Sequence, residues 1–455
     1  MRPRTTRTLD YWKSRLTAVP NRIDCPSMQL LTGRDHEPPV FVGPGQIELK
    51  STTIAEFRLF ASARENADGI LKVHLAHANP YERLDQFRLF AEDFDGTEWA
   101  CGWVVPRVEQ DSSAGTLLVG TINSLLTKVS ADWVSTTPGA ELLFQPSIHI
   151  PMSASLQTVH SIADEEICRS WRLGMHALEI LGSRIEFAQD PTDGLLWITA
   201  STSAELPHPY LENWLSEPLR ILLGQLHYPR LVARNFGDGS AFISIRQSPK
   251  TYPNASIGSL LASELVPPTE RFWQLYAALL TLIAEDRNDQ GQPNFEAHRI
   301  TRFYEEVIQA SQGSRWVWCL TLASAAEALA KMLMRPEDQQ TEFPASDLRS
   351  IKKTVSAWKG DENLRSRILS AIGLLSRRSV ASFLRELANR GIIESRQAAA
   401  WNRMRNDVMH GNLVVPWSSQ QEDETIIALA ELVHTLTREI AGVGNGDRRL
   451  SERML

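Results

Sequence analysis

Four cysteines, Cys25, Cys101, Cys168 and Cys319, are scattered over 455 residues with no C-x-x-C pair and no zinc-type spacing. That scarcity argues against a disulfide framework or a structural zinc and fits reduced thiols used as packing residues. No uninterrupted apolar run approaches the roughly 20 residues of a membrane span. The N-terminus is basic and threonine-rich, without the apolar stretch of a secretion signal. The expectation is a cytoplasmic chain with no membrane partner. Neither Gly43-Pro44-Gly45 nor Gly237-Asp238-Gly239 is followed by Lys-Ser/Thr or set in G-x-G-x-x-G spacing, so neither is a phosphate loop. No internal repeat or low-complexity tract stands out.

What is present is enough apolar material, 43% of residues, to exclude a disordered chain, in a length that suggests two or three domains. The net charge of −7 is unevenly divided: residues 291–455 carry 22 Lys/Arg against 20 Asp/Glu, whereas residues 1–290 carry 25 against 34. From Arg349 to Arg405 there are 13 basic and 4 acidic residues. Such a run is often only a solvated helical face, but it also suits a polyanion, which binds through several cationic contacts. Arg2, Arg4, Arg7, Lys13 and Arg15 read as a solvated, disordered end, with a nucleic-acid arm as the alternative.

From about residue 40 to 150 short apolar runs alternate with turn signals. Thr53 to Phe60 sets Phe57 and Leu59 opposite Glu56 and Arg58, a period of two. Ile70–Ala76, Phe87–Phe94, Glu98–Val105 and Gly115–Ile122 read as further strands, with Asp68-Gly69 and Asp95-Gly96 as turns. The expected architecture is a sandwich or strongly curved sheet. Asp164 to Leu181 reads as a helix, Leu195 to Ala200 as a strand, Leu211 to Leu226 as a helix that Pro218 kinks or restarts, and two strands flank Gly237-Asp238-Gly239. After Ser259 the pattern is helical: Phe272–Ala284, then a polar linker at Asp286–Asn294, then helices near 295–312, 315–334, 346–359, 363–376, 379–390, 395–410 and 423–441. The fold class is therefore α+β, with a β-rich region over 1–290, including a possible helical subdomain from about 160, followed by an all-α bundle over 291–455.

The run Arg405-Asn406-Asp407-Val408-Met409-His410-Gly411 carries the chemistry. Trp401, Met404 and Val408 recur at three- and four-residue steps and mark the core-facing side of a helix, while Asn402, Arg405, Asn406 and Met409 form the neighbouring stripe. Gly411 suits the left-handed position after a helix, which puts His410 on the last turn. Arg405 and His410 lie about 140° apart on an ideal helix, so the arginine must reach sideways, whereas Asn406 and His410 share a face. The helix C-terminus favours imidazolium and Arg405 disfavours it, leaving a histidine that titrates near neutrality and can give or take a proton. An Arg and a His at this spacing are also common by chance, and a helix-terminal His before Gly is often only a cap. His74 and His77, read on a strand, point to opposite faces and lack a third ligand, so no metal site is expected. Trp316, Trp318, Trp358, Trp401 and Trp417 are read as core packing rather than base-stacking residues.

R-N-x3-H-G at the end of a late helix, preceded by Trp401 and followed by one final helix, resembles the HEPN superfamily, and more narrowly the HEPN domain of ApeA-type anti-phage proteins. The resemblance covers the last third of the chain, and a weaker one joins the β-rich start at Phe41-Val42-Gly43-Pro44-Gly45 to the ApeA N-terminal domain. It implies a metal-independent endoribonuclease with no cofactor and an RNA substrate, in which His410 is general base or acid, Arg405 holds the phosphate and Asn406 positions either. Relatives of this kind dimerise through the HEPN domain, which implies a homodimer, and act in anti-phage defence, which implies a phage-derived trigger sensed by the N-terminal region. They often carry a polar or acidic residue on the second helix near the active centre, a place taken here by Glu327. It is expected to orient Arg405 or His410, the alternative being an ordinary salt bridge. Two other classes of function remain: a non-catalytic HEPN scaffold, or a sensor that binds a phage component.

Overall fold

The computed structural model describes residues 7–34, 36–62, 66–79, 81–145, 148–162, 165–189, 194–247, 256–261, 269–335, 343–375, 378–409 and 420–442. A large antiparallel sheet fills most of the N-terminal half, and helices follow. The strands are β1 (Asn21–Thr32), β2 (Phe41–Leu49), β3 (Ala55–Ser62), β4 (Phe87–Glu92), β5 (Glu98–Val104), β6 (Arg107–Ser112), β7 (Gly115–Thr121) and β8 (Ser124–Ser130). They continue with β9 (Gly139–Phe144), β10 (Ala154–Ile162), β11 (Glu165–Ile180), β12 (Ser183–Gln189), β13 (Leu196–Ser201), β14 (Pro229–Asn235) and β15 (Ser240–Arg246). Among the described residues they join in one sheet of order β10-β11-β12-β13-β9-β14-β15-β8-β5-β4-β1-β2-β3-β7-β6.

The sheet is the wall between two cores. On β9, Ala140, Leu142 and Phe144 enter one core while Leu143 enters the other, and on β13 Leu196 and Ile198 are set against Trp197 in the same way. Strands buried on both faces lose the polar alternation of an exposed sheet, which is why β9 is buried along its whole length. The second core also holds Phe57, Leu59 and Leu89 from the far half of the sheet. Asp95-Gly96 forms the turn between β4 and β5: Asp93 Oδ1 accepts from the amides of Asp95 and Thr97, and Gly96 takes the left-handed backbone (φ 76°) that the turn needs.

The N-terminal segment departs from the expected loose end. It forms α1 (Thr8–Leu16), whose Leu9, Trp12 and Leu16 are buried in the second core. Its first turn is capped from afar, because buried Glu141 accepts from the amides of Thr8 and Leu9 at 3.0 and 2.9 Å and from Asn235 Nδ2 at 2.9 Å. Arg2 and Arg4 lie outside the described residues. Two further readings are corrected. Residues 70–76, expected as a strand, belong to α2 (Asn66–Ala78), and residues 164–181, expected as a helix, lie largely on β11. His74 and His77 are therefore one turn apart and both exposed, with His77 Nε2 against the Pro106 carbonyl at 2.9 Å. Cys25, Cys101 and Cys319 are buried.

The helices continue as α3 (Leu211–Trp214), α4 (Glu217–Leu223), α5 (Thr269–Glu285), α6 (Arg299–Ala310), α7 (Arg315–Leu333), α8 (Ala345–Ala357), α9 (Glu362–Leu375), α10 (Val380–Asn389), α11 (Ser395–Met409) and α12 (Gln420–Ile440). Pro218 does restart the chain: it stands in the first turn of α4, where its missing N–H costs nothing. The first core runs without a break from β9 and β13 through α4 and α5 into α7, α11 and α12, across the polar stretch at 286–294. Polar ties cross there as well. Glu217 accepts from His298 N and Thr301 Oγ1, Arg220 pairs with Glu305 at 3.0 Å, and His434 Nε2 faces the Ile257 carbonyl at 3.2 Å. By length and hydropathy α7 is the one helix among the described residues that could cross a membrane. Its Cys319, Leu322, Ala326 and Leu329 are buried in the core.

Candidate functional site

Helix α11 begins with half of a capping box, the amide of Glu394 donating to Oε1 of Gln397 at 3.1 Å. From there the helix buries Ala398, Ala400, Trp401 and Met404, while Asn402, Arg405 and Asn406 are exposed. For Trp401, Met404, Asn402, Arg405 and Asn406 this is the division read from the sequence; the side chains of Val408 and Met409, assigned to the two faces in the same reading, lie outside the description. Trp401 fixes where that stripe goes: its indole Nε1 donates to the Ala323 carbonyl of α7 at 3.0 Å, and the side chain is only 1% exposed.

One turn further along each helix, Arg405 meets Glu327. Arg405 Nε donates to Glu327 Oε2 at 3.3 Å, and the other carboxylate oxygen, Oε1, accepts from Lys331 Nζ at 2.7 Å. Burial pushes the Glu327 carboxyl up, but the hydrogen bond and charge of Lys331, followed by those of Arg405, outweigh it and hold the group below its ordinary range. The guanidinium carbon of Arg405 lies 5.6 Å from the Trp401 ring centroid, a cation–π distance. Arg405 is thus held on two sides, through Nε and through its face, while its side chain stays 47% exposed. Among the described residues neither of its Nη atoms makes a hydrogen bond, so the forked end that can bind carboxylate or phosphate oxygens in pairs is not taken up by Glu327.

The structure brings Arg405 and Glu327 together and sets Asn402 and Asn406 on the exposed side of the same helix. His410 and Gly411 lie outside the described residues, as does Trp417. Lys331 was not singled out from sequence, although its i,i+4 spacing from Glu327 was there to read, as was that between Trp401 and Arg405. Among the described residues no three His, Cys, Asp or Glu side chains gather as a metal-binding group.

The cations between Arg349 and Arg405 divide into two sets. Arg378 and Arg390 pair with Glu386, Arg396 with Glu394 and Glu431, and Arg403 with Asp407. Lys352, Lys353, Lys359 and Arg367 are exposed and have no ion pair among the described residues. Of the tryptophans expected in the core, Trp401 is there, but Trp358 is 41% exposed.

No family model, curated protein or solved structure matches this chain.

Proposed function

We propose that the chain is an anti-phage effector whose C-terminal helices form a metal-independent endoribonuclease of the HEPN type. The observation that carries the reading is the placement of Arg405: exposed, and held through Nε by Glu327 and through its face by Trp401, five residues before His410 in R-N-x3-H-G. RNA supplies its own nucleophile. The 2′-oxygen attacks the adjacent phosphorus, a base takes the 2′-hydroxyl proton, an acid protonates the departing 5′-oxygen, and the P–O5′ bond breaks to leave a 2′,3′-cyclic phosphate and a 5′-hydroxyl. In this mechanism Arg405 donates paired N–H bonds to the non-bridging oxygens as charge builds on them, and His410 serves as base or acid. Asn406 positions the histidine or the substrate.

One motif per chain provides one histidine, and the reaction uses an acid and a base together. A homodimer with two motifs facing across a two-fold axis supplies both. Residues 1–290 take the sensing role, in the cytoplasm, toward a phage-derived trigger. A core that runs from the sheet through α4 and α5, with buried polar ties from α4 to α6 and from Ile257 to α12, gives a change at the sheet a physical route to the helices.

A second reading, a non-catalytic HEPN scaffold, is favoured by one observation: Arg405 already has a carboxylate partner. Incubation of the purified protein with total RNA, with and without chelator, separates the two. The nuclease reading expects cleavage in EDTA; cleavage lost in EDTA and restored by magnesium assigns a two-metal nuclease instead, and no cleavage from an activated protein supports the scaffold.

A further inference from the structure

Helices α8 and α9 pack chiefly against each other, and α8 buries none of its residues. Their turn carries Trp358, the most exposed tryptophan among the described residues, beside an open hollow of about 600 Å³ lined with Val355, Ala357, Ile368 and the stem of Lys353. Lys353 lines it, and Lys352, Lys359 and Arg367 are exposed on the same hairpin; none of the four forms an ion pair among the described residues. Residues 345–375 carry six Lys/Arg against three Asp/Glu, and the three acids are engaged elsewhere. Asp361 caps α9 through the amide of Leu364 at 2.8 Å, Glu362 faces Arg365 at 3.7 Å, and Asp347 accepts from Ser346. The hairpin thus joins an apolar, aromatic-edged recess to several uncommitted cations.

We propose that this hairpin is a binding site for single-stranded RNA, with a base seated against Trp358 and the flanking phosphates on Lys352, Lys353, Lys359 and Arg367. The chemistry selects the occupant. A flat base needs an apolar face and an aromatic edge, and the phosphates on either side of it need cations, so a single strand uses both features. A duplex keeps its base faces stacked away and leaves the recess empty. A second copy of the chain would bring the same cations against these, and the two faces would repel. The choice of RNA over single-stranded DNA rests on the ribonuclease reading, whereas the site itself does not depend on cleavage.

The test is the affinity of the full-length protein for a fluorescein-labelled, single-stranded 2′-O-methyl oligouridylate, which lacks the 2′-hydroxyl nucleophile and cannot be cut. Trp358→Ala is expected to weaken binding by about tenfold and Trp358→Phe by much less. Lys352→Glu with Lys353→Glu should weaken it and make the dependence of log Kd on log salt shallower by roughly one to two. An oligomer of the same length without bases should be indifferent to Trp358→Ala. Unchanged affinity in both sets of variants, or no binding by the parent, overturns the site. So does a Trp358→Ala protein that binds RNA normally but has lost an oligomeric state in sedimentation, which gives the face to a second copy. Loss of cleavage in a protein that still binds through Trp358 would contradict the ribonuclease reading and leave this site standing.

Discussion

Arg405 and Glu327 form an ion pair between α11 and α7, Nε to Oε2 at 3.3 Å, one helical turn past the point where the Trp401 indole is bonded to Ala323. The carboxylate holds only the Nε side of the guanidinium, so it acts as a positioning residue. Glu327→Ala is expected to lower kcat for RNA cleavage by roughly tenfold to a hundredfold with little change in KM, because a misplaced arginine fails mainly in the transition state. Glu327→Gln keeps an acceptor for Nε and should recover much of the loss. Equal kcat in the alanine variant would mean that the pair is only a surface bridge.

Trp401 is expected to be the main structural support of the motif. Trp401→Ala removes a fully buried indole and its hydrogen bond and should destabilise the protein by about 3–5 kcal/mol, measured by denaturant unfolding. Trp401→Phe retains most of the packing and should cost about 1 kcal/mol for the lost bond, with the cavity term added if the site does not close. A Trp401→Ala protein as stable as the parent would contradict the described anchoring of α11.

His434, on α12, is buried between the Tyr304 hydroxyl and the Ile257 carbonyl. Burial, helped by the Arg438 charge and opposed by the Ile257 carbonyl, takes its pKa from 6.5 down to about 4. The unfolded chain therefore binds a proton that the folded one refuses between those values. Stability is full above pH 6.5 and falls as the pH is lowered toward 4, by about 1.4 kcal/mol per unit for one such proton. His227, also brought down to about 4 by burial and then by the charge of Arg220, acts in the same direction. Unfolding curves across this range should show a shallower slope for His434→Gln, by about one proton; an unchanged slope would mean that His434 is protonated in the folded state.

Most of the helices after α5 were legible because they bury a stripe at 3.6-residue spacing, α8 excepted, and are bounded by breaks such as Gly313, Ser379 and Gly391. Where small residues do the packing, that signal failed. In α2 the buried side is Gly69, Val73 and Ala76, while Leu71 and Leu75 are exposed, so a count of large apolar residues finds the wrong face. A Cβ on Gly69 would sit 2.7 Å from the Phe41 ring, which makes that glycine a packing residue inside a helix rather than a turn. In β11 the helix-forming Met175, Ala177, Leu178 and Glu179 are overridden by ladders to β10 and β12. Arg405 and Glu327 were legible as candidates. Their meeting was not, because it depends on how two helices distant in sequence pack.

The dimeric site predicts a mixing result. Heterodimers of wild type with His410→Ala should lose most activity if each site takes its acid and base from different chains, and should keep about half if each chain acts alone. Full activity from a monomer at the assay concentration would rule out the shared site.

The central claim is that Arg405 and His410 cut RNA through its own 2′-hydroxyl, and the direct measurement is the chemistry of the fragment ends produced by parent, Arg405→Ala and His410→Ala proteins of equal helicity. The account predicts 2′,3′-cyclic phosphate or its hydrolysis products and 5′-hydroxyl ends from the parent, with cleavage abolished in both variants. Cleavage by His410→Ala at the parental rate, or 5′-phosphate ends from the parent, would contradict it.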